Sequence, residues 1–529
     1  MGQDSTRPRR RFAGLGVLPA LFWAAAFAIA YCPAPLYYSN QNQYFLHGLA
    51  AAGRGDLAHD WLVTTRDPAP LFSAAVAWTA TTFGDRADLA FQAAYYVLLG
   101  VYFLSLVALI DATLGLPPTR SMRFLLLTLL VAAHAVVVRL AAKQYTGIDI
   151  PRFLHYGVAA QYVTGPMLQP SAFGVFLLTS MAAFARGRLV SAVVFAAGTC
   201  VLHATYLLPA ALLTLTYMLV LARNRRPWAA LLLGAGTLLA VAPVVYFGLT
   251  QFGPTTPELY AEAQRVLAEV RIPHHAVLRE WWDRIAKLQV VWVGLAIALS
   301  MGTRLFPLLA IPTLGAVALT VAQVMTGNLA LALVFPWRVS AVLVPVATAV
   351  ILTRLVRGLT PWPDQGRWLV RLVPVAAAAL LAVMVYGGIV EAPRGTLYDL
   401  PATDAAELPL YAFVRDHREP GDVYLTPAAT RPKGTAVSWD LQRFRLLTGA
   451  TEYVDVKAIP YKDVELLEWF RRVQQAERWY AANDWDAVHD DLVAAGVTHV
   501  VVPTSEAAPS ATLWRVYAGP TYCVYRVRR

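Results

Sequence analysis

Hydrophobic and polar residues alternate along this chain in long blocks. Eleven apolar runs are separated by polar stretches, and most of them approach the 20 or so residues that a helix needs to span a lipid bilayer. The runs cover residues 13–31, 87–110, 121–141, 166–185, 189–203, 205–222, 228–249, 288–302, 305–325, 335–355 and 370–390. This pattern predicts a polytopic α-helical membrane protein with about 11 spans.

The pattern changes after the last apolar run, in residues 391–529. "GDVYLTP" and "GVTHVVVP" are typical of buried strands, and "WRVYAGPTYCVYRV" predicts a hairpin that turns at Gly519 and Pro520. "DVELLEWFRRVQQAERWY" has helical periodicity, with Val464, Leu467, Phe470 and Val473 on one face. We therefore expect a small α/β domain behind the membrane bundle.

Composition and charge agree with a membrane location. The chain is 57% hydrophobic and 15% charged, whereas soluble domains have about 25% charged residues. The net charge of +11 comes largely from arginines in short connections such as "ARGR" and "ARNRRP", a pattern typical of cytoplasmic loops and not of nucleic-acid binding. It predicts a protein of the cytoplasmic (inner) membrane with residues 1–12 in the cytoplasm, and with loops 32–86, 142–165 and 250–287 and domain 391–529 outside.

The first outward loop carries a recognisable order of motifs. "NQNQYFLHGLA" is followed by "HDWL", "DPAPLFSAAVAWTATTFG" and "DRADLAFQAAYYVLLGVYFL", within roughly the first 110 residues. This layout resembles the GT-C superfamily of membrane glycosyltransferases, in particular the lipid-linked aminoarabinose and protein mannosyl transferases. The resemblance implies transfer of a sugar from a polyprenyl-phosphate donor to a glycan, lipid or protein acceptor at the outer face of the membrane.

One departure from those transferases concerns the acidic pair that they usually place at the start of the loop. Asn40 and Gln41 occupy these positions here, and an amide cannot accept a proton as a base does. Either the catalytic carboxylate has moved, with Asp60 as the best candidate and Asp149 as a second, or the protein is a non-catalytic relative that binds a lipid-linked glycan. The alternative role for Asp60 is to cap a short helix in the loop.

Transfer also needs cations or hydrogen-bond donors for the departing phosphate. The predicted substrate-binding residues are Asn40, Gln41, Tyr44, His59, Lys143, Arg152, His155, His203, His274, His275 and Arg338. For Lys143, Arg152 and the other polar residues of loop 142–165, anchoring at the membrane interface is an equally good explanation. Arg338 could instead snorkel to the interface, but phosphate binding is favoured. The adjacent pair His274 and His275 is a weak metal signal because the two rings would diverge on a helix, so no metal ligand is predicted and a role for a divalent metal is left open.

Two further alternatives concern the C-terminal domain and the bundle. Arg443, Arg445, Lys457 and Lys462 form a basic cluster for which a solvated face is the favoured interpretation. A lipid or glycan transporter would need internal symmetry and polar residues at mid-membrane. The spans are largely apolar through their centres and no repeat is visible, so a transporter ranks below a transferase.

Overall fold

The computed structural model describes residues 16–359, 367–398, 404–427, 440–507 and 509–529. These residues form a helical bundle that is followed by a small α/β domain. The predicted basic N-terminus, residues 1–12, and the middle of the last arginine-rich connection, residues 360–366, lie outside the described ranges.

Each of the eleven apolar segments contains a helix. The helices are Val17–Tyr31, Ala87–Thr113, Arg120–Ala132, Val136–Thr146, Val175–Ala185, Leu189–Leu202, Leu207–Arg223, Pro227–Phe252, Arg284–Leu299, Phe306–Thr326, Ser340–Gly358 and Arg367–Glu391. The third segment is split into two helices that meet at 62°. In the described part of the chain, six helical stretches are long and apolar enough to cross a membrane, or seven when the bent pair counts as one span. The chain is therefore a helical, multi-pass membrane protein.

Burial separates the centre of the bundle from its lipid-facing rim. In the 18-residue apolar segment of Leu329–Gly358, 83% of the residues are buried. In the corresponding segment of Pro227–Phe252, only 22% are buried. Leu232 and Leu239 of the latter helix are each more than 70% exposed. Apolar surface on this scale marks a membrane or partner interface in folded proteins, so Pro227–Phe252 lies at the periphery.

The polar connections fold into helices and helical turns, some of which contact the C-terminal domain. They are Gln41–Tyr44, Leu46–Ala51, Leu57–His59, Trp61–Thr64, Pro70–Phe83, Gly84–Arg86, Ile150–His155, Val158–Ala160, Pro170–Gly174, Ala204–Tyr206, Pro257–Arg265, Pro273–Ala276, Leu278–Trp281, Leu329–Leu333, Pro336–Val339 and Thr396–Tyr398, together with the π-helical turn Val266–Arg271. Hydrogen bonds from Ser39 to Gln442, from Gln43 to Ile459 and from Arg271 to Lys457 join these connections to the domain.

The C-terminal domain contains a five-stranded mixed sheet. Its strands are β1 (Val423–Leu425), β2 (Thr451–Glu452), β3 (His499–Pro503), β4 (Leu513–Ala518) and β5 (Tyr522–Val527). The strand order is β2-β1-β3-β5-β4, with β1 parallel to β2 and β3, and β5 antiparallel to β3 and β4. The two predicted strands and the hairpin are confirmed.

Helices cover this sheet. They are Asp404–His417, Asp440–Arg443, Phe444–Thr448, Asp463–Ala482, His489–Ala494 and Thr504–Glu506. The predicted helix at Asp463–Ala482 is present, but its predicted apolar face is wrong in one position, because Val464 is exposed. The buried face is instead formed by Leu466, Trp469, Val473, Ala476 and Trp479.

Candidate functional site

A cavity of about 400 Å³ lies where the loops of the bundle meet the C-terminal domain. We call it the basic cavity. Seven of the predicted substrate-binding residues line it: Asn40, Tyr44, Arg152, His203, His274, His275 and Arg338. The C-terminal domain closes it with Lys457, Ile459 and Tyr461. Side chains that are far apart in the sequence therefore converge on one hollow.

Aromatic contacts fix the position of several lining residues. The ring of Tyr44 packs edge-on against His203, with 5.7 Å between ring centroids, and its hydroxyl lies 3.4 Å from the hydroxyl of Tyr461. The guanidinium of Arg338 lies 5.0 Å above the ring of Tyr206 and donates a hydrogen bond to Gln161. A cation that is stacked and hydrogen-bonded in this way is held in place before any ligand arrives.

The basic cavity is lined by cationic side chains and by no acidic ones among the described residues. The cationic side chains are those of Arg152, Arg271, Arg338 and Lys457. Burial, followed by the charge of Arg271, lowers the pKa of Lys457 to about 7. Burial and the same arginine lower the pKa of His274 to about 4. Both shifts come first from burial, and the contribution of Arg271 adds to it because a nearby cation disfavours further positive charge. An anion bound in the cavity would favour the charged form of Lys457.

Several buried polar atoms of the cavity wall have no hydrogen-bond partner. Among the described residues these are Oε1 of Gln169, Oγ of Ser171, Oγ1 of Thr205 and the Nε atoms of Arg271 and Arg338. Buried polar groups in proteins are nearly always paired. Hydroxyl and guanidinium donors that stand unpaired beside a positive hollow suit a ligand with several acceptor oxygens, such as a phosphate.

A second cavity of about 390 Å³ adjoins the first and shares Arg152, Ala160 and His274 with it. We call it the acidic cavity, because Asp149, Glu280 and Asp283 line it. Tyr156 and Trp281 contribute aromatic surface. Carboxylates and aromatic rings together are suited to binding a hydroxyl-rich molecule through hydrogen bonds and apolar contact.

The three carboxylates of the acidic cavity differ in their partners. Asp149 forms an ion pair with Arg139, with 2.7 Å between Oδ2 and Nη2, and it accepts a hydrogen bond from the backbone of Arg152. Asp283 caps the helix Arg284–Leu299 by accepting from Ala286 at 2.8 Å. Glu280 keeps 27% of its side chain exposed and lies 3.7 Å from the exposed Arg279.

Asp60, the best sequence candidate for a catalytic base, lies outside both cavities and is fully buried. Its Oδ2 accepts from Nε of Arg445 at 2.8 Å and from the backbone of Glu452 at 2.9 Å. Its Oδ1 caps the turn Trp61–Thr64 by accepting from Leu62. This geometry gives Asp60 a structural role and does not support the catalytic prediction, because both carboxylate oxygens are enclosed and hydrogen-bonded.

Four predicted substrate-binding residues also lie outside the two cavities. Gln41 is buried. Its Oε1 accepts a hydrogen bond from the backbone N–H of Tyr37, and its Nε2 donates one to the backbone carbonyl of Leu168. His59 is exposed and pairs with Asp56, and Lys143 is exposed and lines neither cavity.

The fourth, His155, is buried in the bundle, where its ring packs 4.6 Å from that of His134. A local prediction also fails at His274 and His275, whose rings lie 4.1 Å apart instead of diverging.

The predicted solvated face of the C-terminal domain is wrong as well. Arg443, Arg445 and Lys462 are at least nine-tenths buried, and Lys457 lines the basic cavity. The predicted site residues do not include Arg271, Lys457 and Tyr461. For the last two, the density of basic and aromatic residues in "QRFRLLTGATEYVDVKAIPYKD" is a sequence signal. No group of three or more His, Cys, Asp or Glu in the described ranges is placed to hold a metal ion.

Comparison with known proteins gives one partial match. Residues 405–476 match a family described as a domain of unknown function (DUF6798). No curated protein matches the chain. The matched segment contains Arg445, Lys457 and Tyr461, so it is the part of the α/β domain that contacts the loops and completes the basic cavity.

Proposed function

We propose that this protein is a GT-C-type glycosyltransferase of about 11 spans, which moves a sugar from a polyprenyl-phosphate donor to an acceptor at the outer face of the cytoplasmic membrane. Its N-terminus is then cytoplasmic and domain 391–529 extracytoplasmic. The observation that carries the proposal is the basic cavity, which combines four cations with buried donors that lack partners. The donor phosphate would occupy this cavity.

A polyprenyl chain has to stay in the lipid while its phosphate is bound. Leu333 and Phe335 line the basic cavity, and Val334 between them is 45% exposed. The preceding helix Phe306–Thr326 exposes Val321 and Met325 towards the same end. Exposed apolar side chains therefore lie in the segment that leads into the wall of the basic cavity, where the polyprenyl chain of a lipid-linked donor would contact them.

The transfer reaction fits the division into two cavities. The bond between the anomeric carbon and the phosphate oxygen breaks, and a bond from the acceptor hydroxyl oxygen to that carbon forms. The hydroxyl proton passes to a carboxylate, and polyprenyl phosphate leaves with one additional negative charge. Arg271, Arg338 and Lys457 would stabilise that charge, and the acidic cavity would hold the acceptor.

Glu280 is the base that this arrangement favours, because it lines the acidic cavity and keeps 27% of its side chain exposed. A second candidate function is a non-catalytic protein that binds a lipid-linked glycan. The absence of acidic residues among the described lining of the basic cavity favours it, as do the amides at Asn40 and Gln41. Both functions require the phosphate-bearing lipid in the basic cavity.

The experiment measures polyprenyl-phosphate binding and transfer of radiolabelled sugar from polyprenyl-phosphate donors with purified protein. Arg271→Gln is expected to weaken binding by about 10- to 100-fold, which is the usual loss of a charged hydrogen bond. Arg265→Gln is the matched control, because Arg265 is 61% exposed and lines neither cavity. Equal binding by the two variants would refute the assignment of the basic cavity.

Catalysis is tested separately with Glu280→Gln. Loss of a general base is expected to lower kcat by roughly 10²- to 10⁴-fold while lipid binding stays unchanged. Glu262→Gln is the control, since Glu262 is 53% exposed on a neighbouring helix and lines neither cavity. Binding without any transfer by the wild-type protein would establish the second candidate function instead.

A further inference from the structure

A third cavity, of about 980 Å³, lies at the opposite end of the bundle from the basic cavity. Helix Leu207–Arg223 begins two residues after Thr205 of the basic cavity and ends at Arg223 of the third cavity. Its 17 residues measure about 25 Å at 1.5 Å per residue. That length approaches the thickness of the hydrocarbon core of a bilayer, about 30 Å. The two cavities therefore belong to opposite membrane surfaces.

Two other helices confirm this placement. Leu189–Leu202 begins in the third cavity with Leu189 and is followed by His203, which lines the basic cavity. Phe306–Thr326 likewise begins in the third cavity, and the residues that follow it reach the basic cavity. Three helices thus connect one hollow to the other.

The chemistry of the third cavity combines positive charge with apolar walls. Arg223, Arg226 and Arg304 line it and are exposed, and in the described part of the chain no side chain pairs with their guanidinium groups. None of its described lining residues is acidic. The remaining wall is mostly apolar, with Phe184, Leu189, Leu219, Phe306 and Ile311 among its members.

The apolar wall continues onto the outer surface of the bundle. Leu219 lines the cavity and is 48% exposed, and Leu215, one helical turn earlier on the same face, is 47% exposed. A soluble anion would use the arginines alone. A lipid would use both features, because its phosphate meets the arginines while its acyl chains follow Leu219 and Leu215 towards the membrane centre.

We propose that the third cavity, between Arg223, Arg226 and Arg304, binds the phosphate headgroup of an anionic phospholipid from the leaflet opposite the basic cavity. Basic hollows between membrane helices are suited to such headgroups. This site does not depend on the proposed transferase activity. It would fix the position of helices Leu189–Leu202, Leu207–Arg223 and Phe306–Thr326, which also support the basic cavity at their other ends.

The test titrates full-length protein in neutral detergent with phosphatidylglycerol and measures the apparent Kd from the rise in thermal stability. Each of Arg223→Gln, Arg226→Gln and Arg304→Gln is expected to weaken binding about fivefold, and the triple variant about 100-fold. Arg225→Gln is the matched control, because Arg225 is an exposed arginine of the same loop that does not line the cavity. The stability of all variants without phosphatidylglycerol should be equal, which excludes a folding defect.

Three outcomes would overturn the proposal. The first is a triple variant with the wild-type Kd, and the second is an equal loss in Arg225→Gln. The third is an equal rise in stability with inorganic phosphate, which would show that a free anion suffices. Phosphatidylcholine should give no rise in any variant. Arg271→Gln, which alters only the basic cavity, should keep the phosphatidylglycerol affinity that the triple variant loses.

Discussion

The carboxylate of Asp60 and the guanidinium of Arg445 meet at 2.8 Å in a fully buried ion pair, although 385 residues separate them in the sequence. Glu452 and Asp455 lie beside the same arginine, at 3.7 and 3.9 Å. The ion pair between Asp60 and Arg445 joins the first loop of the bundle to the C-terminal domain. It therefore supports the basic cavity from behind and takes no part in binding a ligand.

Asp60→Asn is predicted to destabilise the protein. The substitution leaves the Arg445 charge buried without its closest partner, which costs about 3 to 5 kcal/mol in comparable buried pairs. Thermal unfolding in detergent should show a lower Tm than for wild type, whereas Asp85→Asn, at an exposed turn, should leave the Tm unchanged. A stable Asp60→Asn variant that has lost only activity would contradict the structural role.

Binding of polyprenyl phosphate is predicted to weaken as the pH rises above about 7. The pKa of Lys457 in the empty cavity is lowered to about 7, and a phosphate stabilises its charged form. Below that pH the lysine is already charged. Above that pH Lys457 of the free protein is neutral, so it must take up a proton when the phosphate binds. The affinity for polyprenyl phosphate therefore falls by up to tenfold per pH unit. Measurement of Kd from pH 6 to 9 tests this, and Lys457→Arg, which stays charged, should abolish the dependence.

Stability is predicted to fall between about pH 4.5 and 8 in a manner that depends on Glu452. Burial raises the pKa of this carboxyl group to about 8 in the folded protein, from 4.5 in the unfolded chain. A raised pKa contributes stability that is complete below the unfolded value and is lost as the pH passes the folded value. In Glu452→Gln the decrease of Tm between pH 5 and 9 should be smaller, whereas Glu465→Gln should follow wild type.

Gly55→Ala is predicted to disturb the contact between the first loop and the C-terminal domain. A Cβ at Gly55 would lie 2.4 Å from the carbonyl oxygen of Gly449, and its φ of +57° already disfavours a side chain. Gly53, with a φ of +78° and no atom within 4 Å of an added Cβ, is the control. Gly53→Ala should cost about 1 to 2 kcal/mol from the backbone alone. Gly55→Ala should cost about 1 to 3 kcal/mol more because of the clash, and equal Tm values would argue against close packing.

The sequence predicts the helices and strands well because their signals are local. Apolar runs indicate each helix of the bundle, and the β-branched and aromatic residues of His499–Pro503 and of the C-terminal hairpin indicate strands. It also predicts many lining residues of the basic cavity, such as His203 and Arg338. Placing an ionisable side chain next to apolar membrane helices costs free energy, so such a residue usually has a function.

The partners of these residues are not encoded locally. Asp60 has the same neighbours in the sequence whether it faces a substrate or Arg445, and only the fold distinguishes the two. Likewise, the cluster around Lys457 resembles any solvated basic surface until Arg271 is brought against it. Residues whose role depends on a distant segment are therefore the ones that sequence reasoning misplaces.

Tyr44 and Tyr461, whose hydroxyl groups lie 3.4 Å apart in the wall of the basic cavity, are separated by 417 residues in the sequence. At a ribosomal rate of about 5 to 20 residues per second, roughly 20 to 80 seconds pass between the synthesis of the two tyrosines. During that time the early loops await the last part of the polypeptide to emerge. A chain that is terminated before Lys457 therefore lacks the part of the cavity wall that the C-terminal domain supplies.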